Sequence, residues 1–186
     1  MVKGEKYTMA YNSEKFKTLV HYICWRVDDP RQLGATKLNK ALWFSDLLTY
    51  LNFGAPVTGA RYVKRQFGPV PVALLPAVEE LKASGKIAVR DAEYFGKPKR
   101  EFFALALPDV SLFSSGEISL IDSVIQSVCE RHTAASISEL THNDAWEMAE
   151  IGEDLPFFTV FSARAGEIDE TDIAWADRQI DSLRAA

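Results

Sequence analysis

Several features are missing from this 186-residue sequence, and each missing feature excludes a class of protein. No apolar run approaches the roughly 18 residues that a membrane-spanning helix needs, so we expect no membrane partner. The first 16 residues lack the apolar segment of a secretion signal. Only two cysteines occur, Cys24 and Cys129, and they lack the close spacing of a metal site. We therefore predict reduced thiols and a cytoplasmic protein.

The sequence also lacks the patterns that mark a catalytic centre. Its three histidines, His21, His132 and His142, do not occur in the His-Glu-x-x-His arrangement of a zinc enzyme. No phosphate-binding loop, dinucleotide fingerprint or nucleophile elbow is found. We therefore predict a protein that is not an enzyme and that uses neither a cofactor nor a metal.

What is present is a composition typical of a packed domain, with 47% hydrophobic and 25% charged residues. The charge is unevenly distributed along the chain. Residues 1–129 carry 17 Lys and Arg against 13 Asp and Glu, whereas residues 130–186 carry 4 against 13. Because phosphate binding depends on clustered cations, the last third of the chain is a poor nucleic-acid surface.

Hydrophobic periodicity predicts an α+β fold that is mainly helical, with a compact bundle around one buried helix and a single small hairpin. Ser13 is the predicted N-cap of the first helix. Residues 86–107 form the predicted hairpin, residues 60–67 a short strand, and residues 155–167 an irregular segment. The order of three helices followed by a hairpin is similar to that of a winged helix. The predicted helices are 14–27, 36–52, 72–84, 115–131 and 143–151, with a helical turn at 137–140 and a last helix from 171.

The helix at 36–52 is the most apolar segment of the chain. Its apolar side chains cover far more of the circumference than a surface helix needs, which predicts a core helix. One narrow strip differs, because it carries Asn39, Trp43, Asp46 and Tyr50 at spacings of four, three and four. Aromatic side chains mixed with polar ones are typical of interface anchors. The alternative is that the aromatics are core residues and the polar groups bind nearby backbone.

A basic segment with two prolines follows this helix. Gly68 permits backbone conformations closed to other residues, and Pro69 fixes φ and removes an amide donor. We therefore predict a stiff turn that leads into the third helix. Tyr62 and Lys64 alternate with Arg65 and its neighbours along the preceding strand. The segment is interpreted either as a docking edge for an acidic partner or as a structural corner with solvated cations.

Two stretches resemble a known family. Residues 37–74, KLNKALWFSDLLTYLNFGAPVTGARYVKRQFGPVPVAL, and residues 133–157, TAASISELTHNDAWEMAEIGEDLPF, are similar to the SocA-like or Panacea-domain antitoxins, the GepA-type phage-associated proteins. Ala41, Trp43 and Phe67 depart from the usual residues of the pattern, and each change is apolar. The matching positions are Lys37, Leu38, Lys40, Trp43, Phe44, Asp46, Tyr62, Phe67, Gly68, Pro69, Val70, His142 and Trp146.

The resemblance implies an antitoxin that neutralises a cognate toxin by direct contact. It implies a Panacea domain over residues 1–165, followed by an amphipathic helix at 166–186 that either packs back or binds a partner. A Clp-type protease is a second partner if the protein acts as a proteolytic adaptor, and assembly of copies of this chain is left open. The predicted partner-binding residues are Asn39, Trp43, Asp46, Tyr50, Tyr62, Lys64, Arg65, Phe67, Gly68, Pro69, Val70 and Trp146.

The alternative function is that of a DNA-binding regulator of its own operon. Lys97, Lys99 and Arg100 would place positive charge in the wing of a winged helix, where it could contact phosphates. The third helix is nevertheless a poor recognition helix, because it offers Glu79 and Glu80 to a major groove and contains Pro76 in its first turn. DNA binding is therefore not favoured.

Overall fold

The helices and the hairpin expected at 86–107 follow one another in the predicted order, and the predicted α+β class with mainly helical content is confirmed. The computed structural model describes residues 10–164 and residue 178. Two 3-10 segments, Pro30–Gln32 and Phe157–Arg164, and a π-helical turn at Ser127–Arg131 complete the described chain. The helices are α1 (Ser13–Arg26), α2 (Ala35–Phe53), α3 (Leu74–Ala83), α4 (Ser115–Gln126), α5 (Ala134–Glu139) and α6 (Asp144–Met148), and the strands are β1 (Tyr62–Arg65), β2 (Gly68–Pro71), β3 (Ile87–Tyr94) and β4 (Lys97–Ala104).

Helix α2 lies at the centre of the fold and contacts α1, α4, α5 and β2. Leu38, Ala41 and Leu42 are completely buried, so the predicted core helix is confirmed. The helix ends at Gly54, whose φ of +79° is the left-handed conformation that lets glycine terminate a helix. None of the helices among the described residues is long and apolar enough to cross a membrane.

Local hydrogen bonds set the starts of the other long helices. The N-cap of α1 is Asn12 and not the predicted Ser13, because the Asn12 side chain accepts a hydrogen bond from the Lys15 amide at 2.9 Å. Helix α4 begins with a capping box, in which Ser114 and Glu117 bind each other's backbone amides. Lys15 also reaches Glu117 at 2.6 Å and thereby ties α1 to α4.

Two antiparallel hairpins are present, so the prediction of a single hairpin was wrong. In the hairpin of β1 and β2, Tyr62 pairs with Pro71 and Arg65 pairs with Gly68. The residues from Gly68 onwards, which were predicted to form a stiff turn leading into the third helix, therefore form a strand. In this register Pro69 and Pro71 direct their nitrogen atoms away from β1, so neither proline removes a hydrogen bond between the strands. Prolines at these positions are tolerated in an edge strand. The strand was missed because proline usually interrupts a strand.

A later segment of the chain covers the other edge of β1. The amide of Lys64 donates to the Glu153 carbonyl at 2.8 Å, and the Leu155 amide donates to the Tyr62 carbonyl at 2.9 Å. The segment from 155 onwards was predicted to be irregular, yet it pairs here and continues as the 3-10 segment Phe157–Arg164. The predicted C-terminal helix and the domain boundary at 165 lie outside the described residues, apart from Arg178.

Candidate partner-binding site

Asp46 lies inside the protein at the junction of α2, the loop after it and β1. Its side chain is 0% exposed. One carboxylate oxygen accepts from the Thr58 amide at 2.6 Å, and the other accepts from the Thr58 hydroxyl at 2.6 Å and the Tyr62 hydroxyl at 2.9 Å. Burial raises the pKa of Asp46 to about 6, although the hydrogen bonds from Thr58 and Tyr62 oppose the shift. Asp46 is therefore a structural junction and not the predicted contact residue.

Two further residues of the predicted contact strip on α2 are covered, Trp43 almost completely and Tyr50 in part. Trp43 is only 4% exposed, and its ring packs 5.0 Å from Tyr62 and 5.3 Å from Phe157, measured between ring centroids. Tyr50 is half-buried, with its ring 5.9 Å from Phe157. The strip was predicted to be a surface, but the segment that begins at Phe157 seals this side of the helix. The alternative interpretation, in which the aromatics belong to the core and the polar groups bind nearby backbone, is correct for Trp43 and for Asp46, which accepts from the Thr58 amide.

Lys40 is a buried lysine that joins α2 to the tip of the β1–β2 hairpin. It is 1% exposed, and its amine donates to the carbonyl of Phe67. Gly68 lies against it with a φ of +106°, and a side chain there would overlap with the amine of Lys40 and the hydroxyl of Thr141. The resemblance included Lys40, but no role was assigned to it. The sequence feature that could have revealed this role is the position of Lys40 between Leu38 and the apolar residues that follow, on the core side of a buried helix.

Lys64 was predicted to lie on an exposed docking edge, and this prediction was wrong. Its side chain is buried, and its amine donates to the carbonyls of Glu147 at 3.3 Å and Ala149 at 3.0 Å. The same amine lies 4.1 Å from the centroid of the Trp146 ring, which favours a cation–π contact. Trp146 is half-buried and stacks on His142 with 3.7 Å between ring centroids. Lys64 therefore fastens the C-terminal end of α6 to the hairpin.

The buried amine of Lys40 predicts a particular pH dependence of stability. Burial lowers the pKa of Lys40 to about 8, whereas the unfolded chain keeps its lysine protonated up to the ordinary value of 10.5. Between these two values the unfolded state binds more protons at Lys40, so the contribution of Lys40 to stability rises with pH. We expect the free energy of unfolding, compared with that of Lys40→Met, to rise by up to about 3 kcal/mol from pH 8 to 10.5.

Denaturant titrations of both proteins across this pH range measure the difference. The comparison cancels the titration of buried Tyr62, Cys24 and Cys129, because both proteins contain them. A difference that stays constant between pH 8 and 10.5 would contradict the assignment of Lys40.

The exposed part of the predicted site is the hairpin tip. Phe67 is 59% exposed and Arg65 is also exposed, while Gly68 and Pro69 are buried beneath them and Val70 is half-buried. Because Lys40 holds the carbonyl of Phe67 and Lys64 binds α6, the tip is anchored on two sides. The buried residues Lys40 and Lys64 thus hold in place the hairpin tip that exposes Phe67 and Arg65.

A cleft of about 430 Å³ lies between the β1–β2 hairpin, α3 and the β3–β4 hairpin, and we call it the hairpin cleft. Three predicted residues, Asn39, Arg65 and Val70, line it. Sequence reasoning missed Val72 and Leu75, two exposed apolar residues that also line the cleft. The sequence feature that could have revealed them is the run from Val70 to Leu75. This run contains more apolar residues than the buried side of a three-turn helix requires, so some of them must be exposed. The remaining lining residues are Ala35, Val63, Pro71, Leu74, Val78, Glu79, Lys82, Val89, Asp91, Arg100 and Phe102.

The chemistry of the hairpin cleft is apolar with a charged rim. Lys82 pairs with Glu79 at 3.0 Å, and Arg100 faces Asp91 at 3.7 Å. Arg65 has no ion-pair partner among the described residues. Because Pro69 and Pro71 leave no amide donors on the outer edge of β2, a partner cannot add a strand there and must bind through side chains.

No group of histidine, cysteine and carboxylate residues in the described part of the chain could hold a metal ion. The described residues form a mainly helical α+β domain in which a buried helix and a two-proline hairpin carry an exposed tip and a cleft. The family model described as antitoxin SocA-like, Panacea domain matches residues 38–147, more than half of the chain, and the chain belongs to this family. The match confirms the resemblance seen in the sequence. No curated protein and no solved structure matches the chain.

Proposed function

We propose that this protein is an antitoxin that neutralises a cognate toxin by direct binding, without an enzymatic step, and that the toxin binds at the hairpin cleft. Membership of the antitoxin family supports the role. The observation that carries the location is the set of exposed apolar side chains around the cleft, above all Leu75, which is 68% exposed. Phe67 at the hairpin tip, two residues along the chain from the lining residue Arg65, is a further exposed apolar side chain.

The energetics of such a contact favour binding. Complete burial of one large apolar side chain contributes about 1.5–3 kcal/mol, so a few residues suffice for tight association. The hairpin is already held by Asp46, Lys40 and Lys64, and little conformational freedom is lost when a partner binds to it. The surface is therefore suited to a folded polypeptide partner.

Leu75→Glu is expected to abolish neutralisation without unfolding the protein, because the residue is largely exposed. A charge at the centre of an apolar contact costs about 2 kcal/mol or more, which lowers affinity roughly 30-fold. The measurement is growth rescue in cells that express the product of an adjacent reading frame that arrests growth when expressed alone. The matched control is Leu107→Glu, at a residue that is 79% exposed and does not line the cleft.

The control variant should rescue growth like the unmodified protein. Full rescue by Leu75→Glu, and also by Phe67→Ala, would refute binding at the hairpin cleft.

The DNA-binding alternative gains no support from the wing formed by β3 and β4. Of the predicted wing cations, Lys99 donates to the carbonyl of Arg31, and Arg100 faces Asp91 at 3.7 Å. These cations contact the protein itself and are less available to phosphates than the sequence indicated. The adaptor role with a Clp-type protease stays a prediction.

A further inference from the structure

We infer that the surface formed by α5, α6 and the turn after them binds a basic polypeptide, and we call this surface, residues 139–154, the acidic face. It contains six carboxylates and no lysine or arginine. Asp154 pairs with Arg61 at 2.6 Å. The other five carboxylates are exposed and have no cation within 4 Å among the described residues; they are Glu139, Asp144, Glu147, Glu150 and Glu153.

The acidic face also exposes large apolar side chains. Leu140, Met148 and Ile151 are all exposed, and Met148 reaches 86%. The three lie within residues 140–151, and exposed apolar side chains that form a contiguous patch mark an interaction site. Apolar anchors surrounded by a charged rim are the usual arrangement of a protein interface.

The backbone contacts place this segment around the hairpin tip. Thr141 lies against Gly68, next to the exposed Phe67. The carbonyls of Glu147 and Ala149 hold the amine of Lys64, and the Gly152 amide donates to the Lys64 carbonyl at 2.9 Å. The acidic face and the hairpin tip are therefore held together by the buried contacts described above.

The charge of the surface identifies the class of its occupant. Five unpaired carboxylates repel one another, and a basic partner removes that repulsion while it covers the apolar anchors. A second copy of this chain, docked through the same face, would bring the five carboxylates of each copy together. Nucleic acid is excluded by its own negative charge.

The buried lysines beneath the face offset only part of its charge, because two amines lie beneath five exposed carboxylates that have no ion pair among the described residues. Lys40 binds the carbonyl of Phe67, and Lys64 binds the carbonyls of Glu147 and Ala149, so both amines are engaged by backbone oxygens. Their proximity, after burial itself, lowers the pKa of His142. His142 therefore adds no positive charge to the face at neutral pH.

The inference rests on the proposed function only for the identity of the partner, which would be the toxin. The test uses the full chain and a labelled amphipathic peptide of leucine and lysine, with the corresponding leucine and glutamate peptide as the negative probe. Fluorescence anisotropy measures binding to the unmodified protein and to the triple variant Glu139→Lys, Glu147→Lys, Glu150→Lys. The matched control reverses three other exposed carboxylates that have no ion pair among the described residues, as Asp28→Lys, Glu93→Lys, Glu130→Lys.

We expect the leucine and lysine peptide to bind the unmodified protein, and the acidic-face variant to weaken binding roughly tenfold or more. The control variant, with the same net charge, should weaken it less than about threefold, because distant exposed charges are screened. Equal weakening by both variants, or equal binding of both peptides, would overturn the inference. The peptide assay contains no toxin, so its failure is distinguishable from failure of growth rescue through the hairpin cleft.

Discussion

Asp46→Ala will lower the free energy of unfolding by about 4 kcal/mol, because it leaves three buried donors without an acceptor. The amide and hydroxyl of Thr58 and the hydroxyl of Tyr62 all donate to this one carboxylate. The side chain is 0% exposed, so water cannot replace the lost acceptor without opening the core. Urea denaturation followed by tryptophan fluorescence at pH 7 measures the loss.

Two milder variants act as controls for Asp46→Ala. Tyr62→Phe removes a single donor and should cost only about 1 kcal/mol. Asp46→Asn keeps the shape and one acceptor oxygen, and its effect should fall between the other two. If Asp46→Ala were no more harmful than Tyr62→Phe, the three hydrogen bonds would not stabilise the fold as described.

Burial of Asp46 also changes what a substitution at this position tests. If Asp46 were the surface contact that the sequence predicted, Asp46→Arg would remain folded and lose only partner binding. The structure predicts that it unfolds, because an unpaired cation in the core is more costly than a missing hydrogen bond. The same holds for Trp43→Ala, which removes a ring packed between Tyr62 and Phe157 and should cost about 3–5 kcal/mol.

Gly68→Ala is the second variant for which we expect a large effect, a loss of about 3 kcal/mol or more in the free energy of unfolding. The φ of +106° is unfavourable for any residue with a side chain. The added methyl group would also overlap with the amine of Lys40 and the hydroxyl of Thr141, and it would lie 3.2 Å from the Cε atom of Lys40. Lys40 is bound to the Phe67 carbonyl and cannot move away easily.

The control for Gly68→Ala is Gly96→Ala in the turn of the other hairpin. Gly96 has a φ of +72°, but a side chain there meets nothing within 4 Å, so only the backbone cost of about 1 kcal/mol applies. Thermal and urea unfolding of both variants separate the two contributions. Truncation of Lys40 to alanine should restore part of the stability of Gly68→Ala, since the two residues are coupled. Equal losses at Gly68 and Gly96 would contradict the packing described for Gly68.

Local patterns predicted much of the fold. The helix expected at 36–52 is observed at Ala35–Phe53, and the hairpin expected at 86–107 is observed as β3 and β4. Both depend on periodicity and on nearby glycines, which are properties of neighbouring residues. The strand β2 was missed because proline usually interrupts strands, and only its register with β1 makes Pro69 and Pro71 acceptable.

The candidate site was predicted less well, because a helical wheel gives the direction of a side chain but not what covers it. Phe157 covers Trp43, and Thr58 and Tyr62 surround Asp46. The acceptors of the Lys64 amine lie 83 and 85 residues further along the chain. No local pattern around Lys64 indicates that contact.

The sequence by itself determined the family, the order of the helices and the buried central helix, since these depend on spacing between nearby residues. The tertiary structure alone decided which motif residues are inside the protein and which form its surface. The reason is that exposure depends on segments distant in the chain: Phe157 and the turn before it bury Trp43 and Lys64, and Phe67 and Leu75 remain uncovered.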